Sequence, residues 1–256
     1  KKLTEEIKNV LAFYKAKKMS SAENLCNELI KKHSNSEILH NILGLILTEQ
    51  NKIIEAISCY KKGIKINPSY AMFYNNLGSI YKSQQKYLDA ERNYKKSINL
   101  DNNIVESHNN LGSLYALVNK YDDAIKCYNQ AIKVNNNFFI SHYNLGIAYK
   151  TLGNFIKSKE SLERSLKINP LFFTGHRSLS QITKYKQNDY HMNLLSKIYK
   201  DSSIKMKNKT EIVFALAKAK NDTKNYNEAF NYYLEANALR RSEVVYSYEK
   251  ERNEFE

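Results

Sequence analysis

The sequence predicts an all-α solenoid, a stack of two-helix hairpins, and three observations carry the prediction. Gly44, Gly78, Gly112 and Gly146 are spaced 34 residues apart, each closing an Ile/Asn-Leu-Gly tripeptide. Ala56, Ala90, Ala124 and Ser158 follow those glycines by 12 residues, and Tyr60, Tyr94, Tyr128 and Leu162 follow them by 16. The third observation is composition. With 7 glycines and 2 prolines in 256 residues the chain is too poor in both for a β-rich or linker-rich fold, and both prolines fall where one period meets the next. A period of about 34 residues is what a helical-hairpin array leaves in a sequence, because each hairpin buries its apolar face only against its neighbours.

Numbering each period from 1 divides the regular part into 37–70, 71–104, 105–138 and 139–172, each with a helix A, a short turn and a helix B. The turn carries Asn51, Gln85, Asn119 or Gly153, mostly residue types that tolerate the left-handed conformation that ends a helix. Pro68 and Pro170 stop helix B in two periods, and Asn102 and Asn136 take the same slot in the others. Glycine at position 8 and a small residue at position 20 let the two helices approach closely. Aromatics at positions 11 (Tyr81, Tyr115, Tyr149), 17 (Tyr87, Tyr121, Phe155) and 24 (Tyr60, Tyr94, Tyr128) are expected to fill the core around them.

Asn76-Leu77-Gly78-x-x-Tyr81, followed by Ala90, Tyr94 and Asn102, resembles the core pattern of the tetratricopeptide repeat. The resemblance implies a right-handed superhelix in which the A helices line a concave groove. A divergent repeat fits residues 3–36 through Ala22, Cys26 and Leu29, and a further one fits 210–243 through Leu216, Ala217, Tyr226, Ala229, Tyr233 and Ala236. Residues 173–209 begin in register with His176 and Leu179 and then lose it. The part after Asp201 reads as an extended connection that protease nicks first, and residues 244–256 read as a terminal helix capping the array. The whole chain is thus expected to be one solenoid of six to seven hairpins.

Charge and cysteine content bound the function. The formal net charge of +14 invites a nucleic-acid partner, but Lys61, Lys62, Lys65, Lys95, Lys96 and Lys133 recur on the outer face of the B helices, and neither a stacking platform nor a groove-reading helix accompanies them. Nucleic acid is therefore not the expected partner. The densest basic stretch, Arg177–Lys224, reads as a solvated linker. Cys26, Cys59 and Cys127 form no C-x-x-C and read as reduced thiols of a cytoplasmic protein. No apolar run approaches the ~18 residues of a membrane span, so no membrane insertion is expected.

Catalytic signatures are absent from the sequence: no phosphate loop, no H-E-x-x-H, no dinucleotide fingerprint and no Gly-x-Ser-x-Gly. His40, His108, His142 and His176 share position 4, an aromatic slot filled by Tyr74 in one repeat, and read as packing residues rather than metal ligands. The chain is expected to bind rather than catalyse, with no cofactor and no metal. By the resemblance, Asn76, Asn110 and Asn144 at position 6 face the inner groove, where their amides could serve the backbone of an extended peptide. Asn75, Asn109 and Tyr143 at position 5, with Lys82 and Lys150 at position 12, complete the expected groove, and self-association is a further expected mode. Position 2 holds Met72, Glu106 and Ile140, which argues against a carboxylate clamp.

The C-terminal run Phe214-Ala215-Leu216-Ala217-Lys218-Ala219, then Asn225 to Phe230, then Glu235 to Arg241, is similar to the last repeat before the catalytic domain in bacterial tetratricopeptide-repeat sulfotransferases. That resemblance implies an alternative role, the substrate-recruiting arm of a larger transferase whose catalytic domain is not in this chain.

Overall fold

The computed structural model describes residues 2–243, which form 14 α-helices and a short 3₁₀ turn, with no strand among the described residues. Contacts divide the chain into two compact bodies that meet between Asn136 and Asn137. The N-terminal body holds α1 (Lys2–Lys15), α2 (Met19–Lys32), α3 (Glu37–Glu49), α4 (Ile53–Ile66), α5 (Ala71–Ser83), α6 (Tyr87–Leu100), α7 (Val105–Leu117) and α8 (Tyr121–Val134). The C-terminal body holds α9 (Phe139–Thr151), α10 (Phe155–Ile168), α11 (Phe173–Ile182), α12 (Tyr190–Lys200), the 3₁₀ turn Met206–Lys209, α13 (Thr210–Asp222) and α14 (Tyr226–Glu243). The expected all-α array of hairpins is what forms in each body. The terminal helix expected over 244–256 lies outside the described residues.

The hairpins turn where the sequence places left-handed residues. Asn51, Gln85, Asn119 and Gly153 have φ of 61°, 60°, 61° and 75°. Each sits two residues before a B helix, and the next N–H closes back onto helix A, as Lys52 N does onto the Leu47 carbonyl at 2.9 Å. Lys17 and Lys224 fill the same slot in the divergent repeats. A lysine pays an intrinsic strain there that asparagine and glycine largely avoid.

Inside each of the four regular hairpins the glycine of helix A lies against the residue at position 24 of helix B. A Cβ added to Gly44 would stand 2.3 Å from the Tyr60 ring, and one on Gly78 or Gly112 would stand 2.7 Å from Tyr94 or Tyr128. Ala56, Ala90, Ala124 and Ser158 at position 20 are fully buried beside that contact. The expectation for the other aromatics needs correcting. Tyr60, Tyr94 and Tyr128 are core, but the position-11 and position-17 rings are only half-buried, and Phe155 is 57% exposed. Tyr81 and Tyr115 pack between neighbouring hairpins, where a ring can bury one face and leave its edge in water.

Repeats join through a second recurrent device. Asn67, Asp101 and Asn169 end their B helices and accept the N–H two residues on, forming Asx turns with Ser69, Asn103 and Leu171 at 3.1, 2.9 and 3.2 Å. The position-4 side chain of the following helix A then bonds the carbonyl in the middle of that turn. Tyr74 does so to Pro68, His40 to Ser34, His108 to Asn102 and His176 to Pro170, at 2.9–3.0 Å. These histidines are junction ties, and no cluster of metal-binding side chains occurs among the described residues.

The irregular repeat departs from the expected solvated linker. Helix α11 stops after 10 residues, and a connector leads to α12, whose N-terminus is capped by Asp189 Oδ1 accepting from the N–H groups of His191 and Met192. The segment after Asp201 is not simply extended, because it closes into the 3₁₀ turn. Lys209 is buried there, donating to the carbonyls of Tyr199 (2.6 Å) and Asp201, which are the orphan acceptors at the end of α12. Lys218 likewise reaches the Thr183 carbonyl and Asp222, and Asp222 accepts from the backbone N–H of Tyr185 at 3.0 Å. Two lysines of the densest basic stretch are therefore internal props.

Two outcomes test this architecture. Gly112→Val is expected to cost about 1–3 kcal/mol by overpacking against Tyr128, read as a lower denaturant midpoint; an unchanged midpoint would refute the register. Limited trypsin digestion is expected to cut after exposed Lys205 and spare buried Lys209. Early cleavage after Lys209 would show that its carbonyl contacts do not hold.

Candidate functional site

The asparagines singled out in the sequence form a chain, but its hydrogen bonds run between repeats. Asn76 Nδ2 donates to Asn41 Oδ1 at 2.8 Å, and one repeat on Asn110 Nδ2 donates to Asn75 Oδ1 at 3.1 Å. Asn75 Nδ2 links the two rungs by donating to Asn76 Oδ1 at 3.3 Å. The result is a continuous amide rail along α3, α5 and α7, each position-6 amide bonded to the position-5 amide of the repeat before it. Asn41, Asn75 and Asn76 are buried, as is Asn109, while Asn110 is half-buried.

This placement changes what the amides can do. At least one donor of Asn75, Asn76 and Asn110 and the acceptors of Asn41, Asn75 and Asn76 are spent inside the protein. Their first role is to satisfy one another across the stacked A helices, where an unsatisfied buried amide would cost about 1–3 kcal/mol. Asn41 belongs to the rail and was not singled out in the sequence. Its position in the period, the same as that of Asn75 and Asn109, was the available signal.

The position-12 lysines act over the same interval. Lys82 Nζ donates to Ser113 Oγ at 3.2 Å, and Lys150 Nζ donates to Gln181 Oε1, each reaching position 9 of the next repeat. Burial pushes the Lys82 ammonium below the ordinary lysine value, and burial followed by the Arg177 charge does the same to Lys150. In the C-terminal body, the Tyr143 hydroxyl lies 3.4 Å from Ser178 Oγ, and Asn144 beside it is half-buried. Around the rail, Ile38 and Leu117 are exposed at 44% and 55%, and Met72 and Ser79 are half-buried. What helix A presents in the N-terminal body is therefore an apolar and weakly polar strip with the amides set into its floor.

The irregular repeat holds a second polar cluster. His176 Nε2 donates to the Pro170 carbonyl at 2.9 Å, which leaves its Nδ1 to accept from His191 Nε2 at 2.9 Å. His191 Nδ1 then accepts the Tyr185 hydroxyl proton at 2.7 Å. Burial holds both imidazoles neutral at pH 7, and because a carbonyl can only accept, this direction of the chain follows. Burial and then the neighbouring His176 push His191 down to about 4, and burial lowers His176 as well. Asp189 opposes the shift of His191 and Lys159 adds to it. The cluster joins α11, the connector and α12.

The thiols offer no nucleophile. Burial raises Cys26 to about 12 and Cys59 and Cys127 to about 11, so none is a thiolate at neutral pH.

With this geometry in hand, comparison with known proteins is informative. A family model described as TPR repeat matches residues 44–85 and 115–153, and one described as tetratricopeptide repeat matches 72–104 and 140–170. No curated protein matches the chain in sequence. Among similar solved structures is that of Pseudomonas aeruginosa pilF, with a TM-score of 0.63 at 18% identity over 79% of this chain and 91% of that one. The C-terminal part of a TPR repeat-containing protein from Cytophaga hutchinsonii gives a TM-score of 0.62 at 15% identity over 91% and 94%. YrrB, a TPR protein with an unusual peptide-binding site, gives 0.52 at 15% identity over 80% and 96%. These likenesses establish the fold. No described helix is long and apolar enough to cross a membrane.

The histidine chain generates a pH prediction. Because folding lowers both imidazoles below the usual 6.5, their contribution is complete above that value and is lost as pH falls through the window from 6.5 to about 4. Thermal melts between pH 7.5 and 4 are expected to show a falling midpoint, with a shallower fall in His191→Gln. Parallel profiles for the two proteins would remove the assignment.

Proposed function

From a chain that carries tetratricopeptide repeats, we propose a protein- or peptide-binding scaffold that holds its partner against the A helices. The observation that carries this reading is the amide rail. It locks α3, α5 and α7 in register and leaves Ile38, Met72, Ser79, Lys82 and Leu117 as the accessible groups around it. A preorganised surface of small polar and aliphatic groups suits an extended peptide, whose backbone finds donors and acceptors and whose side chains find apolar contact. The neighbour described as having a peptide-binding site supports the same reading by analogy of fold. In this reading Asn76, Asn110, Asn75 and Asn109 shape the surface. Lys82 contacts ligand, and in the C-terminal body Lys150, Tyr143 and Asn144 play the corresponding part. The chain itself performs no chemistry and holds no cofactor, and its location is cytoplasmic.

The resemblance of residues 173–256 to the repeats of bacterial sulfotransferases supports a narrower version, in which the partner is the substrate of a transferase domain joined to this array. Both versions use the same surface.

The test separates the rail from the surface. Peptides selected from a random-sequence display library against the full chain are expected to lose binding to Met72→Arg and to Lys82→Glu, with thermal melts verifying that both variants fold. Asn76→Ala is expected instead to lower stability by about 1–3 kcal/mol through the unpaired amides it leaves. Selected peptides that bind Met72→Arg and Lys82→Glu as tightly as the unmodified chain would show that the A-helix surface is not where they sit.

A further inference from the structure

The opposite side of the N-terminal body carries a hollow that the repeat pattern does not call for. It opens between α2 and α4 over a floor made by α3, with a volume of about 440 Å³. Leu43 and Leu47 form the floor, and Ile30 and Ile54 stand on either side of it. Ile54 is 82% exposed, an unusual degree for an isoleucine beside a cavity. The hollow has a cause in the sequence. Leu47 occupies position 11, where the next three repeats place Tyr81, Tyr115 and Tyr149. Tyr115 shows what that ring does: it spans to the preceding B helix and donates to Glu91 Oε1 at 2.9 Å. A leucine falls short of that reach and leaves the space open.

The charges around the hollow are mostly of one sign and unspent. Lys62 lines it, Lys61 and Lys65 continue along the same exposed face of α4, and Lys31 lies one turn beyond Asn27 on α2. None of these four has an acidic partner among the ion pairs of the described residues, whereas Lys52 and Lys95 nearby are paired with Glu23 and Glu91. Glu55 in the lining and Glu28 on α2 are the opposing acids. The lysines run more than a helical turn past the hollow, a span that suits a chain with charges on both sides of an anchor better than a single small anion.

We infer that this outer groove is a second docking site, independent of the A-helix surface, for an acidic peptide segment carrying a bulky apolar anchor. The anchor seats between Ile30 and Ile54 on Leu43 and Leu47, and flanking carboxylates meet Lys31, Lys61, Lys62 and Lys65. The apolar seat supplies most of the affinity and the lysines select and steer, as in other interfaces built from one buried anchor within a charged rim.

The probe is a fluorescein-labelled octapeptide with a central Leu-Phe pair between three acidic residues on each side. It is titrated against the full chain by fluorescence anisotropy. Two control peptides replace the acids by lysines or the Leu-Phe pair by alanines. Saturable binding of the acidic Leu-Phe peptide alone is expected. Leu47→Tyr, which restores the residue of the other repeats, is expected to weaken it by about tenfold or more. Ile54→Asp and Lys62→Glu, on exposed side chains that leave the fold intact, are expected to do the same, and thermal melts of all three verify folding. Met72→Arg is expected to bind normally. Absence of saturable binding to the unmodified chain overturns the inference. So does equal affinity for Leu47→Tyr and Ile54→Asp, which would mean diffuse attraction to lysines. Loss in Met72→Arg would assign the peptide to the A-helix surface.

Discussion

The regular repeats depend on one contact, a side chain of helix B laid directly on the glycine of helix A, a tyrosine ring in three of them and Leu162 in the fourth. Because that side chain occupies the volume of a missing Cβ, the two helices are held at a separation that no other residue at position 8 permits without displacing it. That separation, repeated every 34 residues, fixes where everything else falls. The amide rail recurs at a sequence interval of 35, the lysine reach to position 9 at 31, and the ring-to-carbonyl tie at 6. These offsets are constant because the hairpin is, and the polar network is a consequence of the apolar one.

Departures from the period are therefore informative, and two of them sit close together on α3. Tyr94 donates its buried hydroxyl to Ser79 at 3.1 Å, but the equivalent of Ser79 in the preceding repeat is Leu45, so the buried Tyr60 hydroxyl lacks that partner and has only the side chains of Thr48 and Asn76 near it, without a well-formed hydrogen bond. Two residues further on, Leu47 replaces the tyrosine of its neighbours. One substitution removes a hydrogen-bond partner inside the hairpin, and the other opens a hollow outside it. Two departures on one helix of an otherwise regular repeat mark a place where local stability has been given up, and functional sites are the usual place for that exchange.

Periodicity made the helices, their turns and the Gly–Tyr contact readable, since each is set by residues whose spacing is visible in the chain. The direction of the position-5 and position-6 amides was not readable. A side chain on helix A can face open solvent or the adjacent helix after a small rotation, and Asn serves equally in both places. The position-11 and position-17 rings were misread as core for a related reason, because an aromatic that buries one face against a neighbouring hairpin leaves the same period as one buried on both. The irregular repeat was least legible. It is held by a Tyr–His–His chain and by two lysines on carbonyls, and such contacts between unlike partners leave no recurring spacing.

The same distinction governs how the charge of +14 should be interpreted. In the stretch densest in basic residues, part of the charge is already committed. Arg177 pairs with Glu211 and stacks 4.7 Å from the Phe214 ring centre, Lys184 and Lys218 share Asp222, Lys220 meets Glu228, and Lys209 caps α12. A cation that already has its counter-charge gains little by exchanging it for another. Lys31, Lys61, Lys62 and Lys65 of α2 and α4 are exposed, unpaired and grouped beside apolar surface. Recognition follows the charge left over after folding: Lys186, Lys197, Lys200, Lys205 and Lys224 keep theirs in the basic stretch, and Lys31, Lys61, Lys62 and Lys65 keep theirs around the hollow floored by Leu43 and Leu47.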